Sequence, residues 1–183
     1  MNIVKPTNKF RKTPHSTKNQ IMRLLWQFVY VFLFRPSPRI LHKWRIFLLE
    51  LFGAKIGPNC KLYPTVRVWA PWNLVLGENC AIGDNVNCYC VTKLHIDSYS
   101  TVSQDTVLST ASHEFNSLDL PLLTKQITIG KYVWICADVF VMQGVSIGDG
   151  AVIGARSTVF SDIPAWMVAY GTPCKTAYAR KID

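Results

Sequence analysis

The feature that most constrains this chain is a six-residue period running from Ile56 to Pro164. Units open at Ile56, Leu62 and Val68, at Leu76, Ile82 and Cys88, and at Ile96, Val102 and Leu108. After a longer gap they resume at Ile129, Ile135, Val141, Ile147, Ile153 and Val159. Fourteen of these fifteen first positions are Ile, Leu or Val, against 47 such residues in 183 overall, so composition alone does not produce the pattern. Gly holds six of the second positions, and the fifth is mostly small or β-branched. A period this short means a solenoid. Six residues are too few for a helical repeat but suit a short strand and a corner, with Gly, Asp and Asn supplying the corner dihedrals. Three units make one triangular coil of 18 residues, so the body reads as five coils at 56–73, 76–93, 96–113, 129–146 and 147–164. At a strand spacing of about 4.8 Å the prism stands about 24 Å tall, with the first-position side chains stacked inside. The expected fold class is an all-β solenoid with a helical segment in front and an extruded loop. The remaining residues, 165–183, read as a C-terminal tail.

The extruded loop, residues 114–128, interrupts the repeat between the third and fourth coils. A solenoid does not need such an interruption for stability, and long loops within compact repeats are usually functional. His113 is the last residue before it. His95 lies 18 residues earlier and is expected one layer below His113.

Charge separates the front of the chain from the body. Residues 1–55 carry 11 Lys and Arg against one acid, Glu50, whereas residues 56–183 carry 9 against 10. A basic front end reads as a solvated arm and helix, as a contact with an anionic membrane surface, or as a nucleic-acid site. No nucleic-acid module accompanies it, so no nucleic-acid partner is expected.

Residues 1–20 read as a basic disordered arm and 21–55 as an amphipathic helical segment. The apolar run 21–34 rises roughly 21 Å as a helix, short of a roughly 30 Å hydrocarbon core. No small-residue cleavage site follows it, and Pro36 and Pro38 end it. In the second helix Ile40, Leu41, Trp44, Phe47, Leu48, Leu51 and Phe52 share one face, which is expected to pack on the body. His42, Lys43, Arg45 and Glu50 fall off that stripe.

Several short motifs join the period. They include Phe52-Gly53-Ala54-Lys55-Ile56-Gly57, Pro71-Trp72-Asn73-Leu74, Ser112-His113-Glu114 before the loop, and Trp134-Ile135. Further on stand Ile153-Gly154-Ala155-Arg156-Ser157 and Gly171-Thr172-Pro173. With these the chain, from about Trp26 to Arg180, resembles the left-handed parallel β-helix acyltransferases. It is most similar to the O-acetyltransferases of the colanic acid biosynthesis type, close to the maltose, galactoside and nodulation acetyltransferases.

The resemblance implies transfer of acetyl from acetyl-CoA to a sugar hydroxyl in exopolysaccharide or surface glycan biosynthesis, with a soluble oligosaccharide as the runner-up acceptor. It implies direct attack with His113 as general base, and no metal. An imidazole, ordinarily titrating near ~6.5, suits that work near neutrality. A backbone N–H suffices for the charge developing on the thioester oxygen. On the acceptor side the resemblance points to Tyr89 and Cys90, where relatives often carry Tyr-Asn, with Asn85 or Asn87 as the alternative amide. Glu114 either orients His113 or faces water. For acetyl-CoA it points to Trp134, Ala137, Ala155, Ser161 and Lys175. Relatives often have Thr-Lys in place of Phe160-Ser161, so a basic phosphate contact is missing there and Lys175 gains weight. The resemblance implies a homotrimer with each active site between two prisms, and the outward aromatics Trp69, Trp72 and Trp134 fit that arrangement.

The six cysteines show no C-x-x-C spacing. Cys60 and Cys80 hold fifth positions in adjacent coils and are expected to stack as buried thiols in a reducing cytoplasm, although a disulfide is geometrically conceivable. A γ-type carbonic anhydrase on the same fold needs three zinc-bound histidines, and the body holds only His95 and His113. A non-catalytic scaffold subunit is the other alternative.

Overall fold

A computed structural model describes residues 15–182. The six-residue period becomes three parallel sheets, the faces of a left-handed β-helix. The first face pairs Ile56, Leu76, Ile96, Ile129 and Ile147 in register. The second pairs Leu62, Ile82, Val102, Ile135 and Ile153. The third pairs Val68, Cys88, Leu108, Val141 and Val159. Apart from the half-buried Ile56 at the base, all of these side chains are buried and form one continuous core. Burying each is worth about 1.5–3 kcal/mol.

The corners explain the polar residues of the period. Asn59, Asn79, Asn85, Asp105 and Asp138 have φ of 59°, 55°, 58°, 62° and 58°, the left-handed region that Asn and Asp enter at low cost. Tyr99 and Tyr132 take the same conformation, and their rings stack at 5.0 Å. Cys60 and Cys80 are free, buried thiols, donating to the carbonyls of Gly77 and Asp97 one layer on.

The fold extends past the expected five coils. Ile163 bridges to Ile147, and Met167–Tyr170 pairs in parallel with the fifth coil on the second face. Lys175–Ala179 then folds back antiparallel along that strand. The residues read as a tail therefore cap the sheet, because the exposed edge of the fifth coil offers unpaired backbone groups.

The loop also departs from expectation. Ala111–His113 and Leu122–Thr124 form an antiparallel hairpin, with His113 opposite Leu122. The solenoid resumes at Ile127–Ile129, which pairs with Leu94–Ile96. His95 consequently lies beneath Thr128, not beneath His113, because the chain leaves the prism before His113 can stack.

At the front, helix α1 spans Thr17–Val29 and continues as a π turn over Tyr30–Phe34. It begins four residues before the expected start, because the Ser16 hydroxyl accepts the Asn19 N–H and caps it. The rest of the expected arm, residues 1–14, lies outside the described residues. Trp26, Tyr30 and Phe34 face the body at helical spacing, and Trp26 Nε1 donates to the Val68 carbonyl at 2.7 Å.

Helix α2, His42–Leu51, packs on the body through only part of the expected stripe, Leu48 and the following Phe52. Its buried side chains are Arg45, Leu48 and Leu49, while Ile40, Trp44, Phe47 and Leu51 of the apolar stripe face outward. Arg45 decides the orientation. Its guanidinium donates to the carbonyls of Leu62, Pro38 and Arg39 at 2.7, 2.8 and 2.6 Å, and to the Ser37 hydroxyl at 2.8 Å. Those acceptors belong to the inter-helix turn and the first coil, and the Arg45 guanidinium ties them together, with the His42 ring sharing the Leu62 carbonyl at 2.8 Å.

Candidate active site

The hairpin positions His113. Leu120, at φ 44°, turns its carbonyl toward the ring, and His113 Nδ1–H donates to it at 2.6 Å. A neutral imidazole with its proton on Nδ1 carries its lone pair on Nε2. His113 is exposed, so that nitrogen is open to a substrate. Glu114 does not hold the ring. Its carboxylate accepts the Asn116 N–H at 2.9 Å and closes the hairpin turn, so a carbonyl takes the orienting role.

Beside the third face lies a groove of about 420 Å³ whose lining includes Arg35, Arg67, Trp69, Asn87 and Tyr89. Tyr89 pairs with Ser109, one layer below the strand that leads into the hairpin. Its ring meets Trp69 edge-on at 5.7 Å. Of the acceptor residues considered from the sequence, Tyr89 and Asn87 share this groove.

Cys90 and Asn85 do not. Cys90 is completely buried, its Sγ 3.3 Å from the Ala70 carbonyl, and burial pushes its thiol up to about 11. It fills the core and cannot touch a sugar. Asn85 turns the edge between the second and third faces. Its Nδ2 donates to Asp105 at 3.1 Å and its N–H to the Thr65 hydroxyl at 2.9 Å, so it serves the corner ladder.

The residues considered for acetyl-CoA are divided among the edges. Ala137 and Ala155 hold the same repeat position in successive coils at the second–third edge, where their short side chains leave the backbone uncovered. Lys175 is exposed on the capping strand, opposite Tyr170, whose Cβ sits over Gly154 beside Ala155. Trp134 is half-exposed, pointing outward from the second face, and its Nε1 donates to Ser103 Oγ at 3.1 Å. Ser161 is exposed two coils above the hairpin, at the edge His113 leaves from.

The other outward tryptophans are used within the chain. Arg23 lies 4.0 Å from the centroid of Trp69, and Trp72 packs beneath Gly53. Only Trp134 of the three presents an open face. Among the described residues no three His, Cys, Asp or Glu side chains converge as a metal site.

Three groups at the candidate site escaped the sequence reading. Arg35 reads there only as the end of a helix before Pro36, and Arg67 only as an outward strand residue. The Leu120 carbonyl has no side-chain signature at all.

Comparisons with known proteins agree with this fold. The family model "Bacterial transferase hexapeptide (six repeats)" matches residues 126–161. WcaF of Escherichia coli K12, which carries the name of a colanic acid biosynthesis acetyltransferase, is 44% identical over 155 residues, covering 85% of each chain. The galactoside O-acetyltransferase of the same strain is 33% identical over 144 residues, covering 75% of this chain and 69% of the relative. A solved galactoside acetyltransferase in complex with coenzyme A superposes with a TM-score of 0.84 at 28% identity, covering 92% of this chain and 86% of that one. The chain belongs to the hexapeptide-repeat acetyltransferases, acyltransferases built on the left-handed β-helix, in the group of the colanic acid biosynthesis type.

Proposed function

We propose that this protein moves an acetyl group from acetyl-CoA to a hydroxyl of a sugar in an exopolysaccharide or surface glycan. The observation that carries this reading is the Nδ1–Leu120 hydrogen bond, which leaves His113 Nε2 free at an exposed edge. Nε2 removes the proton of the acceptor hydroxyl as its oxygen attacks the thioester carbonyl. The C–S bond breaks, and the proton passes from the imidazolium to the departing sulfur. General-base help of this kind is worth about 10²–10⁴ in rate.

The open backbone at Ala137 and Ala155 fits the pantetheine arm, and Lys175 stands on the same side for the phosphates. Acetyl-CoA supplies the activated thioester when bound. Asn87 and Tyr89 offer an amide and an aromatic face to the sugar. WcaF is named for colanic acid biosynthesis and the other relative for galactosides, which favours a glycan acceptor.

A single prism leaves His113 at the third–first edge, Trp134 on the second face and Ala155 at the second–third edge, up to about 20 Å of extended chain apart. A homotrimer with sites between prisms brings such edges together. Sedimentation at the mass of a single chain would count against it.

The test is thiol release from acetyl-CoA over a panel of sugars, with the acetylated product identified by mass spectrometry. Turnover that survives in His113→Ala removes the general-base assignment. A chain that neither binds CoA nor acetylates any hydroxyl is a scaffold subunit instead.

A further inference from the structure

The two front helices leave an apolar surface that the body does not cover. On α1, Leu24 and Phe28 are 72% and 64% exposed, and the Phe28 and Phe32 rings pack at 4.6 Å. On α2 and its approach, Ile40 is 83% exposed, and Trp44 and Phe47 stack at 5.9 Å. Trp44 Nε1 donates to the Leu33 carbonyl at 3.1 Å, so the two faces join into one. Isolated exposed apolar side chains are ordinary, but a contiguous face of this kind marks an interaction site.

Charge selects the occupant. Lys18, Arg35 and Lys43 are exposed around this face, and Glu50 is the only acid in residues 1–55, against 11 Lys and Arg. Pairing this face with the same face of a second copy would set these like charges against each other. An apolar face ringed by cations is complementary to an anionic bilayer, whose headgroups attract Lys and Arg while the interface takes up Phe, Leu and Trp. No helix among the described residues is long and apolar enough to cross a membrane, so the helices would lie along the surface.

We infer that α1 and α2 form an interfacial docking surface that holds this protein on an anionic lipid bilayer. Gln27 and Val31 border both the apolar face and the groove that contains Tyr89, Asn87, Arg35 and Arg67. Docking therefore brings that groove to the level of the headgroups, where a lipid-linked sugar would be presented.

Co-sedimentation of the full chain with vesicles tests this. Phosphatidylcholine vesicles containing phosphatidylglycerol should bind the protein about ten-fold or more tightly than phosphatidylcholine alone, with the difference shrinking as salt rises. Phe28→Ser with Phe32→Ser and Phe47→Ser should abolish pelleting and leave the melting temperature unchanged. Lys18→Glu with Lys43→Glu keeps the apolar face and should lose only the anionic preference. Equal binding to both vesicles, or unchanged binding by the serine variant, overturns the inference. So does a fall in the solution mass of the serine variant, since the face would then join copies of the chain. Acetyl transfer to a soluble sugar, run in parallel without vesicles, separates failure of docking from failure of the catalytic reading.

Discussion

The β-helix body and its helical cap bury apolar surface by different rules. In the body the period and the burial coincide: position one of each hexapeptide points inward in every coil. The geometry leaves no choice, because a triangular coil has one interior and a strand residue can only point in or out. In the cap the same pattern of apolar spacing exists, but a helix has a full circumference to offer. There a single buried arginine, satisfied by three carbonyls and a hydroxyl, rotates α2 so that most of its apolar stripe faces away and only Leu48 and Phe52 of it pack on the body. Apolar periodicity is thus a statement about the interior in a solenoid. In a short helix attached to a larger body it states only that some apolar partner exists.

The comparison can be broken at several points. The largest effect belongs to the edge of the body: His113→Ala should lower acetyl transfer about 10²–10⁴-fold, with circular dichroism and melting unchanged. Substitutions in the cap that leave this rate intact would confirm that the chemistry resides in the body. Next, Ile135→Ala on the second-face ladder should destabilise the protein by about 2–5 kcal/mol in denaturant unfolding. Ile40→Ala, on the outward apolar stripe just before α2, should stay within about 0.5 kcal/mol in the same measurement without lipid. Equal costs at these two isoleucines would erase the distinction drawn here.

Arg45→Met keeps an apolar stem but removes the guanidinium donors to the carbonyls of Leu62, Pro38 and Arg39. The Pro38 carbonyl keeps the Leu41 N–H at 3.0 Å and the Leu62 carbonyl keeps the His42 ring at 2.8 Å, so the expected loss is about 1–3 kcal/mol, the cost of one acceptor left without a donor, despite the more apolar residue. If Arg45→Met is instead neutral, the orientation of α2 has another cause. The smallest effect concerns Cys90. Its thiol titrates near 11 because it is buried, so it remains protonated and unlabelled by iodoacetamide in the native state at pH 8, and becomes reactive only on unfolding.

The repeat was legible because it is local. Each Ile or Val reports on its own strand, and fifteen repetitions override any single exception such as Cys88. The fifteen first positions read from the sequence agree with the observed ladders for the same reason, whereas the coil limits shift where Ala111–His113 join the hairpin and where Met167–Tyr170 adds a further strand. The edge chemistry was only partly legible. His113 announced itself through the break in the period, and Tyr89 through a motif. Cys90, its chain neighbour, alternates to the other side of the strand and is buried. Asn85 looked like a free amide, but corner residues in adjacent coils bond to one another along the prism axis. That ladder connects residues 20 apart, a distance no short motif spans.

By itself the sequence determined the solenoid, its register, the place where the chain leaves it and the concentration of positive charge in the first 55 residues. Each of these follows from short-range spacing or from counting. The tertiary structure alone decided which way the front helices face, which carbonyl orients His113 and how Lys175 returns to the top of the second face. Those outcomes depend on groups brought together from distant parts of the chain, where one satisfied buried guanidinium or one turn carbonyl outweighs a stripe of apolar residues.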